Sequence, residues 1–346
     1  MSDVDIRTQG RAGRITLTRE KALNALTWDM VIQIEDALTR WRSDDAIALV
    51  IIDAAGPKAF CAGGDIAQIY ATGTAGDYGP ARRFWRDEYR LNAMIAGYDK
   101  PIVALMQGFV MGGGVGIGGH CSHRVVDDST RVALPECGIG LVPDVGSTLL
   151  LARAPGRLGE FLGLTGYRMD AGDAVYAGFA DVMIPQDAWP DLIAALCTDG
   201  DASAVRAAAL PAPQSKLAAW RSDIDNVFAA GDLPGIRQQP AAVPPAPITN
   251  ALDLMERNSP LSMACTLQIV RAVRADPTIH TALTHEFRYT FRSQQGSDLL
   301  EGIRAAIIDR DRSPKWRHTS WDVPADDIAA LTAPLGPDAL YPETSL

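Results

Sequence analysis

The sequence predicts an α/β layered fold extended by a helical C-terminal region. Three observations carry that prediction. Strand-like apolar runs alternate with helix-spaced segments through the first half of the chain, glycine-rich blocks follow several of those runs, and only helical periodicity appears beyond residue 250.

The elements follow in order. Ile15 and Leu17 alternate with Thr16 and Thr18, as in a half-buried strand. Thr27 can cap a helix that places Val31, Ile34, Leu38 and Trp41 on one face. Ile47-Ala-Leu-Val-Ile-Ile-Asp53 is a continuous apolar run, the mark of a strand covered on both sides. A helix through Ala81 to Ile95 then precedes a strand over Pro101–Gln107, and the glycine-rich residues 112–119 precede a strand at Arg124–Val126. Residues 199–250 are rich in Ala and Pro and hold the tract Gln238-Gln-Pro-Ala-Ala-Val-Pro-Pro-Ala-Pro247, which reads as a connector. Past it, Ser259-Pro260 is an N-cap followed by a first-turn proline, with Leu261, Ala264, Leu267 and Val270 on one face. Ile279, Leu283, Phe287 and Phe291 mark a second helix; Asp298 and Glu301 suggest a capping box opening a third, which carries Leu300, Ile303 and Ile307. The expected organisation is a core over 1–198, a connector over 199–250 and a helical region over 251–346.

With 346 residues, 47% of them hydrophobic, the chain can bury a large core. A net charge of -10 argues against nucleic-acid and anionic-membrane partners, so any anionic ligand must be met by local charge. The cysteines at 61, 121, 137, 197 and 265 form no CxxC pair and read as reduced and cytosolic, with Cys61 and Cys137 expected to pack as small hydrophobes. The N-terminus has no apolar signal core, and no run reaches the ~20 apolar residues of a membrane helix. A cytoplasmic location is expected.

Three segments carry candidate chemistry. Lys58-Ala-Phe-Cys-Ala-Gly-Gly-Asp-Ile66 follows a buried strand, and its glycines could bare a backbone NH; the plain alternative is a tight turn into a helix capped by Asp65. Met111-Gly-Gly-Gly-Val-Gly-Ile-Gly-Gly119 could open a helix whose first NH groups face an anion. It lacks the Lys-Ser or Lys-Thr that ends a phosphate loop. In Ala133–Gly146, two carboxylates, Glu136 and Asp144, stand among apolar and turn residues. Such surroundings raise a carboxyl pKa and suit it to proton transfer or nucleophilic attack, whereas the structural alternatives are a solvated turn residue and a helix cap.

Taken together, Lys21-Ala-Leu-Asn-Ala-Leu26, Phe60-Cys-Ala-Gly-Gly-Asp65, Gly108 with Gly112-Gly-Gly114, and Pro135-Glu136 resemble the four hallmark segments of the crotonase (enoyl-CoA hydratase/isomerase) superfamily. The resemblance implies a spiral of ββα units in which the NH groups of Gly64 and Gly113 form an oxyanion hole for an acyl-CoA thioester. Coenzyme A would enter as part of the substrate, and no separate cofactor is expected. It also implies CoA contacts at Lys21, Ala22, Leu23, Lys58, Ala62, Asp65 and Ile66, and a homo-oligomer, be it trimer, hexamer or dimer.

Hydratases of the superfamily carry two glutamates, one of them in the helix after the glycine triplet; here that position is Gly116. Asp144 stands instead in Leu141-Val-Pro-Asp-Val-Gly146, a pattern similar to the 3-hydroxyisobutyryl-CoA hydrolase branch. That likeness extends through Trp85–Leu91, His120, Leu164–Arg168 and Ala177–Asp181 to the tail Glu301–Trp316. By resemblance Glu136 and Asp144 act with Gly64 and Gly113, and substrate is met by Glu88, Gly113, His120, Glu136 and Asp144. Enoyl-CoA hydration or isomerisation is the alternative activity. Without the resemblance, Glu88, on a helix with Arg86, Asp87 and Arg90, would read as a solvated charge. His120 and His123 have no nearby carboxylate on their segment, so no metal site is expected.

Overall fold

The computed structural model describes residues 3–238 and 246–341. The chain begins β1 (Val4–Gln9), β2 (Ala12–Leu17), α1 (Trp28–Arg42), β3 (Leu49–Ala54), β4 (Ala59–Cys61), α2 (Ile66–Thr74) and α3 (Gly79–Ala96). It continues through β5 (Ile102–Met106), β6 (Phe109–Met111), α4 (Gly113–Gly118), β7 (His123–Val126), β8 (Arg131–Ala133), α5 (Ser147–Arg153), α6 (Leu158–Thr165), α7 (Ala171–Ala177), β9 (Val182–Met183) and α8 (Trp189–Asp199). Helices then follow one another: α9 (Ser203–Ala208), α10 (Lys216–Phe228), α11 (Leu233–Arg237), α12 (Ala246–Met255), α13 (Pro260–Ala275), α14 (Ile279–Gly296), α15 (Leu299–Ile303) and α16 (Ala325–Thr332).

Two compact units emerge. The first comprises residues 1–64, 87–133 and 168–218, and the second 65–86, 134–167 and 219–346. Both sheets belong to the first unit. Six strands run in the order β1-β2-β3-β5-β7-β9 and three in the order β4-β6-β8; only the β1–β2 pair among these is antiparallel. Chain order is therefore a repeated ββα pattern: β3, β5 and β7 enter the large sheet, β4, β6 and β8 the small one, and a helix follows each pair. Burial explains the apolar runs. Leu49–Ile52 and Ile102–Met106 are at most 1% exposed, as strands covered on both faces require. One face packs Leu49, Ile51, Val103 and Leu105 against Trp189, Leu192 and Leu196 of α8. Thr27 caps α1 as expected, its hydroxyl accepting from Met30 N at 3.3 Å.

The second unit is helical. Ser259 Oγ accepts from Ser262 N at 3.1 Å and Pro260 opens α13, whose buried face includes Leu261, Leu267 and Val270. Within residues 199–250 the chain forms α9, α10 and α11, and α10 and α11 bury Leu217, Ile224, Phe228, Leu233 and Ile236. Most of the proline tract, 239–245, lies outside the described residues.

The capping box at Asp298 and Glu301 does not form, although α15 begins there. Asp298 is taken by Ser259 Oγ at 2.6 Å and Arg317 N at 2.9 Å, and Glu301 by Arg304 and Lys315 N. Longer-range donors outcompete the local pair. Ile307 is also not on a buried helical face: residues 304–308 form a π turn, and its side chain is 40% exposed.

Candidate active site

In the first unit the two glycine turns leave neighbouring parallel strands of the small sheet. The chain passes from β4 into Ala62–Gly64 and from β6 into Gly112–Gly113. Gly63 has φ +123° and Gly112 φ +46°, values a side chain rarely tolerates, which is what glycine is needed for. A bridge ties Leu26 to Gly64, but its bond runs from Leu26 N–H to the Gly63 carbonyl at 2.8 Å, so it does not use the Gly64 N–H. Gly113 is the first residue of α4, where an N–H has no acceptor within the helix. The turns lie close together: a Cβ added at Gly113 would lie 3.5 Å from the Gly63 carbonyl carbon and 2.9 Å from Glu88 Oε1.

Glu88 is therefore not a solvated charge. It is 2% exposed, while its neighbours on α3 face elsewhere: Asp87 accepts from Trp28 Nε1, and Arg90 pairs with Glu35 and Asp87. Gly116 is buried inside α4, so the carboxylate nearest this glycine turn comes from α3.

The second unit holds the third motif. Pro135-Glu136 leads into a 3-10 turn at Glu136–Ile139, and Glu136 is 5% exposed. Its Oε2 is buried with no hydrogen-bond partner among the described residues. Burial pushes the Glu136 carboxyl well above its ordinary range; the like charge of Asp144 adds to this, and that of Glu286 contributes less. Asp144 is 4% exposed and does not cap α5, whose N-cap is Gly146. Nor does the Asp65 side chain cap α2.

Glu286 joins these two carboxylates and was not foreseen. It sits on α14, fully buried, and accepts from Gly146 N at 2.7 Å, Thr148 N at 3.0 Å and Thr148 Oγ1 at 2.5 Å. Burial, with Asp144 adding, pushes it up to about 8 against the lowering effect of those donors. A sequence signal existed: position 286 lies three residues after Leu283 and one before Phe287, on the face predicted to be apolar.

The remaining expected residues fall in both units. In the first unit, Lys21, Ala22 and Lys58 are exposed, and Ala62 N donates to the Leu23 carbonyl at 3.0 Å, joining two of the expected CoA segments. Asp65 and Ile66, in the second unit, begin α2 and are half-buried. His120 is half-buried just after α4, and His123 Nδ1 meets Ser122 Oγ at 3.0 Å. Cys61 and Cys137 are buried, and burial pushes each thiol up to about 12, away from the thiolate form a nucleophile needs.

Comparison with known proteins agrees with this architecture. The enoyl-CoA hydratase/isomerase family profile matches residues 12–331. The chain is 36% identical to a chicken (Gallus gallus) protein named 3-hydroxyisobutyryl-CoA hydrolase, mitochondrial, over 94% of this chain and 87% of that one. A zebrafish (Danio rerio) protein of the same name is 38% identical, over 91% and 85%. Among solved structures, an enoyl-CoA hydratase from Rhodobacter sphaeroides 2.4.1 is 52% identical with TM-score 0.92, over 98% of this chain and 100% of that one. A carnitinyl-CoA dehydratase from Mycobacterium thermoresistibile is 40% identical, also with TM-score 0.92, over the full length of both. The fold is the α/β crotonase fold, and the chain belongs to the enoyl-CoA hydratase/isomerase, or crotonase, family.

Proposed function

We propose that the chain hydrolyses a short 3-hydroxyacyl-CoA thioester, with 3-hydroxyisobutyryl-CoA as substrate, giving 3-hydroxyisobutyrate and CoA as in valine breakdown. The observation that carries this reading is Glu136: a buried carboxyl, raised in pKa, with an oxygen lacking any partner among the described residues. A group held in that state is prepared to act on a substrate atom. The names of the curated relatives, and Gly in place of an acid at 116, favour hydrolysis over hydration.

In the proposed reaction the NH groups of Gly64 and Gly113 donate to the thioester oxygen as charge develops on it, each interaction worth a few kcal/mol. Glu136 either attacks the carbonyl carbon to form an anhydride that water then cleaves, freeing the acid and the Glu136 carboxylate, or removes a proton from the water that attacks; in both routes the C–S bond breaks with CoA leaving as thiolate. Asp144 orients the water or the 3-hydroxyl. Glu88 and His120 contact the acyl group. Lys21, Ala22, Leu23, Lys58, Ala62, Asp65 and Ile66 hold CoA, the lysines meeting its phosphates. A homo-oligomer and a cytoplasmic location belong to the same proposal.

One observation favours a second reading. Glu88 lies beside Gly113, supplying a second carboxylate from α3, and the 52% identical structure is described as an enoyl-CoA hydratase. The two separate in one assay. Free thiol released from 3-hydroxyisobutyryl-CoA supports the hydrolase; loss of the crotonyl-CoA chromophore without thiol release establishes the hydratase instead.

A further inference from the structure

Asp144 is followed by a turn that an unsupported chain resists. Val145 has φ +57° and Gly146 φ +78°. A β-branched residue in the left-handed region is strained by its Cβ, so something must hold it there. Within the second unit the Glu286 carboxyl helps to hold it, accepting from the N–H of Gly146 through Oε2 and from the N–H and hydroxyl of Thr148 through Oε1, beside the Ser147 N–H bond to the Asp144 carbonyl at 2.9 Å. Glu286 and Thr148 are both 0% exposed. A carboxyl buried near other carboxyls costs free energy unless its oxygens are hydrogen-bonded, and here three donors meet it.

We infer that Glu286 is a positioning residue: its three hydrogen bonds fix the turn Asp144–Thr148 and so set the direction of the Asp144 carboxylate. This rests on the proposed role of Asp144 in orienting water or substrate. Chemistry restricts the position to a carboxyl. Whichever way a glutamine were turned, its NH2 would face the N–H of Gly146 or of Thr148, setting donor against donor in a buried place.

The test compares Glu286→Gln and the milder Thr148→Val with the wild type by crystallography, and combines Glu286→Gln with Asp144→Asn in a double-mutant cycle on thioester cleavage. In the Gln variant Val145 leaves the left-handed region and the Asp144 carboxylate moves by on the order of 1 Å, a displacement able to cost up to about 100-fold in rate. The predicted kcat loss is about tenfold or more with KM within about twofold, and Asp144→Asn adds little to it, because both changes remove the same function. Thr148→Val shows a smaller shift in the same direction, and it serves alone if the Gln variant does not fold. An unmoved Asp144 in both variants, or losses that multiply in the double variant, overturns the inference. If the wild type releases no thiol, the proposed function fails, and the crystal comparison still decides the role of Glu286.

Discussion

A methyl group at Gly113 would stand 3.0 Å from Leu26 Cδ1 as well as 2.9 Å from Glu88 Oε1. Both neighbours are side-chain ends that can give way, so Gly113→Ala folds, but it displaces the carboxylate beside the proposed oxyanion donor. The expected outcome is a fall in kcat/KM for the thioester of about tenfold or more with little change in melting temperature, read by steady-state kinetics and calorimetry. The cysteines make an opposite kind of residue-level prediction. All five are buried and unpaired as disulfides, and burial raises each of their pKa values. Native protein at pH 8 should resist iodoacetamide and keep its activity, while urea should expose all the thiols; rapid inactivation of the native state would mean that a cysteine takes part in the chemistry.

At the scale of elements, α4 lies so close to β4 that a Cβ at Gly114 would be 2.2 Å from the Cys61 carbonyl oxygen. Backbone cannot retreat as a side chain does. Gly114→Ala is therefore expected to cost stability, roughly 1–3 kcal/mol or more, seen as a lower denaturant midpoint with unchanged slope. The long elements could be read from the sequence because their pattern repeats: α1, β3, β5 and α13 bury the residues that their periodicity or continuous apolar run selects, and α14 buries Leu283 and Phe287 while Ile279 and Phe291 are half-buried. Strands β4, β6 and β8 could not, since three residues are too few to show an alternation. The glycine turns are visible in the sequence as motifs that follow strands; their adjacency depends on the pairing of β4 with β6. Local charge patterns misled wherever a distant partner won. Asp298 turns to Ser259 and Arg317 instead of capping α15, and Glu88 turns inward from a helix on which Arg83 and Arg90 are exposed. Glu286 went unread because a lone acid within an apolar stripe has no local pattern to announce its distant donors.

For the molecule as a whole, buried acids of opposite behaviour shape stability against pH. Glu286 is raised in the folded state to about 8, chiefly by burial, with Glu136 shifted in the same direction. Such groups bind more protons folded than unfolded, so their contribution is full below the ordinary glutamate range near ~4.3 and is lost as pH rises towards 8. Glu160 behaves oppositely. Burial would raise it, but hydrogen bonds and charge from Arg274, with Arg157, hold it below the usual range, so its contribution is lost on acidification. The melting temperature should peak in mildly acidic solution, fall on both sides, and lose part of its alkaline decline in Glu286→Gln; calorimetry from pH 4 to 9 reads this directly. Within a molecule of crotonase fold, the proposed thioester cleavage depends on Glu136. Thiol release from 3-hydroxyisobutyryl-CoA by wild type and by Glu136→Gln measures it. A loss of at least about 100-fold in kcat in the folded variant is predicted, and a Glu136→Gln protein that cleaves the thioester at the wild-type rate would rule out this role for Glu136.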